Sequence, residues 1–277
     1  MAMLDPKALA DAGFTAEIKQ RRASAVINIA GTEGTGKTHW ALGAPKPLLY
    51  QATDFGDEGV IQKFSQSGQI IRPKGGDYKI VIPHEYRAFV DRDEKDNERK
   101  TREGKLANYI HESFYLPFRR DLEAAIKMGV RSVVWDTQLE IWEFIRLSVY
   151  GRGATNRDDL KTEANAKMKE MIRLCNVSNV NLIMISRLKP AWESYYKNDG
   201  TVGWRQTKDM EMQGFDKSPE LVALNLWTKF TAPETWEFLV KKSRDVPTFT
   251  GATVPALPFV DLMGMLIPGV PADAWEN

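Results

Sequence analysis

Eight consecutive residues constrain this chain more than any others: Gly31-Thr32-Glu33-Gly34-Thr35-Gly36-Lys37-Thr38. They satisfy the spacing G-x-x-x-x-G-K-[ST] of a phosphate-binding loop, or P-loop. The apolar run Ala25-Val-Ile-Asn-Ile-Ala30 before them reads as a buried strand, and a helix can start at Lys37. Gly34 and Gly36 let the backbone turn its N–H groups inward around phosphate oxygens. The start of the following helix adds a favourable partial positive charge. Lys37 is expected to reach the β- and γ-phosphates, and Thr38 to place its hydroxyl on Mg²⁺. All eight residues, Gly31 to Thr38, are therefore candidate nucleotide contacts, with ATP or a related nucleotide and Mg²⁺ as the expected ligands.

A second element has the form that such a loop needs. Ser132-Val-Val-Trp-Asp136 is a short apolar strand closed by an acid, the pattern of a Walker B strand. Asp136 is expected at the strand's C-terminal end, beside the loop, holding Mg²⁺ together with Thr38; Thr137 can assist. Hydrolysis also needs a group that orients or deprotonates water. Asp54, which closes the strand starting at Pro47, is the favoured candidate, and Glu33, Glu140 and Glu143 are its rivals. Ser186-Arg187 ends the apolar run from Asn181, where a polar side chain, Arg187 above all, can sense the γ-phosphate.

The remaining chain alternates strand-like and helix-like segments. Helices are predicted near 58–64, 107–128 (with Pro117 bending or dividing it), 138–150, 158–178 and 259–266. Strands are predicted near 47–50, 69–72, 79–82, 181–186, 221–228 and 235–240. That alternation argues for an α/β fold with a mostly parallel central sheet flanked by helices. Residues 1–23 read as a polar lead-in and 24–277 as one domain. The run 91–105 is almost wholly charged, with mixed signs, and reads as an exposed insertion. Cys175 is the sole cysteine, which excludes a disulfide within the chain and makes a cysteine-based zinc site untenable. A formal charge of +1 gives no global electrostatic case for nucleic acid or membrane, so a nucleic-acid surface would have to be a local patch. No apolar run approaches the roughly 20 residues that cross a bilayer. Asp5, Lys7 and Asp11 do not suit a signal peptide, so a soluble intracellular protein is expected.

In order, the P-loop, the acid after the second strand, Val133-Val-Trp-Asp-Thr137, Ile185-Ser-Arg187 and Gly214-Phe-Asp-Lys217 before a late strand resemble the RecA-like P-loop ATPases. More narrowly the chain resembles the compact phage members, including the short Sak-type single-strand annealing proteins. The resemblance spans roughly residues 24–245. It implies ATP hydrolysis coupled to single-stranded DNA in phage recombination or replication. It also implies side-by-side homo-oligomers and a location in the cytoplasm, that of the bacterial host if phage-encoded. A single-strand-binding or replication protein is a further expected partner. The segment Leu188–Ser218 matches the position of a DNA-binding loop, with Lys189, Trp192, Tyr195, Trp204 and Arg205 as candidate contacts; the alternative is an ordered surface hairpin whose aromatics pack on the domain. Val240-Lys-Lys-Ser-Arg244 occupies the place of a late basic cluster, so Lys242 and Arg244 are expected to act on a neighbour's γ-phosphate. The family's acid after the second strand is usually Glu, whereas Asp54 stands here. Two alternatives accompany this reading: an AAA-type helicase loader or remodeller, and a nucleotide-gated binding module with little turnover.

Overall fold

The computed structural model describes residues 23–53, 58–64, 70–74, 78, 96–151, 158–197, 201–232 and 235–276. Asp54, most of the lead-in, the strand expected at 79–82 and the first part of the charged run lie outside the described residues. The backbone of the fold is a nine-stranded sheet. Its members are β1 (Val26–Gly31), β2 (Leu48–Ala52), β3 (Ile70–Ile71), β4 (Ser132–Asp136), β5 (Asn181–Tyr196), β6 (Val202–Met212), β7 (Leu224–Ala232), β8 (Thr235–Ser243) and β9 (Thr253–Pro255). The spatial order is β3-β2-β4-β5-β1-β7-β8-β9, with β6 paired to β5 off this path. From β3 through β7 every pairing is parallel, whereas β8 and β9 are antiparallel additions.

Parallel strands buried on both faces read as continuous apolar runs, and β1, β2 and β4 are buried throughout. Alternation then sorts their side chains into two layers. Leu49, Val133, Trp135, Leu182 and Met184 enter one core. Helices α3 (Asp96–Ile110), α4 (Leu116–Lys127), α5 (Gln138–Tyr150) and α6 (Asp158–Val177) supply the rest of that layer, with Ile110, Phe118, Phe144 and Met168 among its buried residues. Ile27, Ile29, Leu48, Tyr50, Val134, Ile183 and Ile185 face the other core. There they meet the short α1 (Lys37–Ala41) and the C-terminal α8 (Phe259–Leu266) and α9 (Ala272–Glu276). The second layer also takes Ile61 of α2 (Glu58–Phe64), whereas Leu221 of α7 (Ser218–Leu221) packs against the first.

Two segments differ from the sequence expectation. The charged run is helical from Asp96 onward, so the helix predicted from 107 begins earlier. Leu106, Ala107 and Ile110 are buried and anchor the C-terminal end of α3, whereas Glu98 and Lys105 are exposed. The helical path continues through one π-type turn, His111–Tyr115, into α4. Pro117 follows immediately; it has no N–H to give and its ring crowds the preceding turn, which accounts for the irregularity there. The second is the segment after Ser186, which takes the hairpin form of the alternative reading but leaves Trp192, Tyr196 and Trp204 exposed rather than packed on the domain. It is an antiparallel ribbon in which β5 runs for 16 residues, roughly 50 Å, and returns as β6.

Candidate phosphate site

Register and alternation together assemble the site. β4 pairs with β2 so that Ala52 faces Asp136 and Tyr50 faces Val134. Asp136 follows Trp135 and therefore turns to the opposite layer, the one that holds α1. Thr38, on the first turn of α1, meets it there: Thr38 Oγ1 donates to Asp136 Oδ2 at 2.7 Å. Tyr50 Oη donates to the same carboxylate oxygen at 3.0 Å. Thr53 Oγ1 accepts from Thr137 N–H at 2.8 Å and donates to the Asp136 carbonyl at 3.1 Å. The Asp136–Thr137 peptide is cis. A hydroxyl and a carboxylate, held together and mostly buried, are an oxygen donor pair suited to Mg²⁺.

The loop is braced from the β7 side. Thr35 Oγ1 donates to Thr32 C=O at 2.8 Å and shares a hydrogen bond of 2.6 Å with Thr228 Oγ1 of β7. Gly31 has to be glycine in this packing, because a Cβ there would lie 1.8 Å from Thr228 Oγ1 and 2.8 Å from Thr35 Oγ1. Gly36 has φ 72°, a left-handed conformation that releases the chain into α1. Lys37 folds over the loop and its Nζ donates to Thr32 C=O at 2.5 Å. Burial lowers the Lys37 pKa, Asp136 opposes that shift, and nearby Arg187 adds to it. A multiply charged anion would satisfy the ammonium in place of a lone carbonyl.

The structure thus brings Lys37, Thr38 and Asp136 together. Arg187 also stands beside the loop, its guanidinium 3.6 Å from the carboxylate of exposed Glu33. Ser186 does not reach the site. It is fully buried in the other layer, where its Oγ contacts Asn28 Oδ1 at 2.9 Å and Gln138 Oε1 at 2.8 Å. Asn28 in turn donates to Asn225 Oδ1 at 2.9 Å and to Met212 Sδ at 2.9 Å. Glu143 is tied to Arg146 on the same helix. Lys242 and Arg244 lie at the other edge of the sheet. Thr228, level with the loop, pairs with Phe238, whereas Lys242 pairs with Asn225, roughly 10 Å back along β7. Lys242 Nζ donates to Pro219 C=O at 2.5 Å and Arg244 to Glu220 C=O at 3.3 Å, both on α7. Neither can serve the P-loop of its own chain.

The ribbon separates its side chains onto two faces. Ser194 pairs with Trp204, Tyr196 with Val202 and Trp192 with Gln206, so Trp192, Tyr196, Val202 and Trp204 share one face. All four are more than half exposed. Glu193 and Arg205 pair on the other face at 2.6 Å, and Arg205 also lies 5.7 Å from the centroid of Tyr195. Lys189 pairs with Glu211 at 3.1 Å. Candidate cations Lys189 and Arg205 therefore already have carboxylate partners, while the aromatic face stands open. Tyr50, Thr53 and Thr228 are site residues that sequence reasoning missed. Their strands are apolar or β-prone, and only the register shows where each hydroxyl arrives.

A mostly parallel sheet flanked by helices, with a P-loop after β1 and an acid ending β4, makes an α/β fold that carries a phosphate-binding loop. No protein-family model matches the chain, and no curated protein matches it in sequence. Among solved structures it is similar to a KaiC-like protein from the hyperthermophilic archaeon Pyrococcus horikoshii OT3, at 12% identity and a TM-score of 0.41, over 80% of each chain. No described helix is long and apolar enough to cross a membrane.

The contact of Gly31 with Thr228 yields a directional prediction. Gly31→Ala should lose about 1–3 kcal/mol of stability in urea denaturation through overpacking. Thr228→Ala removes the oxygen nearest the new methyl. The double variant should therefore be more stable than Gly31→Ala alone, and simple additivity would show that the two positions do not press on each other.

Proposed function

We propose that the chain binds ATP at Gly31–Thr38, hydrolyses it, and uses the cycle to control its grip on single-stranded DNA in phage recombination or replication. The observation that carries the nucleotide reading is the 2.7 Å contact of Thr38 with Asp136 beside the loop. Thr38 and Asp136 would hold Mg²⁺, which when bound neutralises charge on the β- and γ-phosphate oxygens. Lys37 turns from Thr32 C=O to the phosphates, and the loop N–H groups cradle them. Tyr50 fixes the Asp136 carboxylate through a hydrogen bond and so positions it. Arg187 stands close enough to the loop to answer to the charge of the γ-phosphate. Asp54 would orient the attacking water.

For DNA, the support is the open aromatic face of the ribbon. Bases can stack on Trp192, Trp204 and Tyr196 without regard to sequence. Tyr195 extends the ribbon's aromatic surface on the other face. Lys189 and Arg205 would exchange their carboxylate partners for phosphates, which makes binding strongly dependent on salt. Lys242 and Arg244, remote from their own loop, would supply positive charge to a neighbouring subunit's site in a homo-oligomer.

Three measurements test this reading. Lys37→Ala should abolish ATP turnover; unchanged ATPase activity in that variant sinks the central claim. Trp192→Ala with Trp204→Ala should weaken single-strand binding at fixed low salt, by about 1–3 kcal/mol per lost stack, while ATP binding persists. An affinity that does not move removes the ribbon from the DNA surface. Finally, Arg244→Ala and Lys37→Ala proteins, each inactive alone, should regain ATPase activity when mixed, since a site between them can combine one intact loop with one intact arginine. A mixture as inactive as its components argues against shared sites.

A further inference from the structure

The β7–β8 hairpin carries an exposed aromatic pair that the phosphate chemistry does not use. Phe230 and Trp236 pair directly across the two strands, with ring centroids 6.1 Å apart. Phe230 is 53% exposed and Trp236 38%. Large aromatic rings at a sheet end stay in water at a cost, so an apolar occupant is favoured there. Their place in the fold says which one. The Trp236 indole lies 3.7 Å from where a side chain on Gly36 would stand, so its ring borders the phosphate loop itself. The backbone beneath is fixed, because Trp236 C=O accepts from Ala256 N–H at 3.0 Å. Phe238, two residues on and on the same face, packs edge-on against Trp40 of α1 at 5.4 Å.

The two flanks of the loop are chemically different. In the strand order β4-β5-β1-β7-β8, β1 delivers the loop from the middle. Asp136 reaches Thr38 from the β4 side and marks the metal end, where β- and γ-phosphates would lie. The opposite end of a nucleoside triphosphate is its ribose and base, and the opposite flank of the loop is walled by Thr228 and Trp236. We propose that Phe230 and Trp236 form a stacking platform for the base of the bound nucleotide. Stacking uses the π-face that every base has, so the platform adds affinity for a nucleoside triphosphate over a bare polyphosphate rather than reading base identity.

This inference rests on the phosphate site proposed above, and the test separates the two. Calorimetric titration of the full chain with Mg–ATP and with Mg–tripolyphosphate compares a ligand that has a base with one that has none. Wild type should bind ATP about tenfold more tightly than tripolyphosphate. Trp236→Ala and, independently, Phe230→Ala should remove most of that advantage and leave tripolyphosphate affinity unchanged, with Trp236→Phe retaining it. Phe230 is the more exposed ring, so its variant keeps the test open if Trp236→Ala does not fold. Unchanged ATP affinity in Phe230→Ala and folded Trp236→Ala would overturn the platform, and so would an equal loss of both ligands. Failure of wild type to bind either ligand would overturn the phosphate site instead.

Discussion

Strand alternation under fixed register is the constraint from which the rest follows. In β4, Val133 and Trp135 face the layer of α3 to α6, while Val134 and Asp136 face the layer of α1. A slip of one residue would exchange these faces, burying a carboxylate against Phe118 and Phe144 and leaving Thr38 without its acid. Register is held because both faces are apolar and filled, so a slip would misplace every side chain in the strand. The hydrogen bonds of Tyr50 and Thr53 add to this from β2 and the residue after it. The meeting of Thr38 with Asp136 is thus largely a by-product of core packing, trimmed by the Tyr50 and Thr53 hydrogen bonds.

The same alternation places a second polar cluster on the far face. Asn28, Gln138, Ser186 and Asn225 are buried, and their hydrogen bonds join β1, the first residue of α5, β5 and β7. Unpaired, each would cost about 1–3 kcal/mol, so together they specify one arrangement of these elements. Two of its links lie next to the phosphate site and the ribbon. Gln138 sits two residues after Asp136, and Ser186 sits just before β5 leaves the core to become the ribbon. Met212, at the returning end of β6, contacts Asn28 as well. The ribbon is therefore rooted in the polar cluster that lies behind the phosphate site. A shift of α5 against β5 would break buried hydrogen bonds, so the two elements are held in one arrangement.

Much of this was legible beforehand, for physical reasons. The loop declares itself because glycine placement and a strand–turn–helix context are local. The alternation of apolar strands and amphipathic helices is local too, and Gln138–Tyr150 and Phe259–Leu266 could be read from their period. The strands of the ribbon are not legible in the sequence because their exposed residues have no buried face to impose a period of two. The helical state of residues 96–105 was hidden for a similar reason: the run has no apolar period, and the helix is anchored farther on, at Leu106 and Ile110. Tyr50, Thr228 and Trp236 could not be found at all, since each acts through a register set by residues elsewhere in the chain.

The β7–β8 hairpin draws these observations to one conclusion. At one end it bonds the loop through Thr228 and sets the Trp236 ring beside Gly36. At the other end Lys242 and Arg244 lie against the carbonyls of α7, which follows directly from the ribbon. These cations cap the C-terminal end of a single helical turn, where carbonyl oxygens lack partners within the helix. Such contacts at an exposed site contribute modestly and can be exchanged. If a neighbouring subunit offers a more strongly charged acceptor, Lys242 and Arg244 can leave α7 for it, and α7 is what joins β6 to β7. In the proposed shared site, one hairpin would carry both halves: the wall of its own phosphate loop, and the cations for the next.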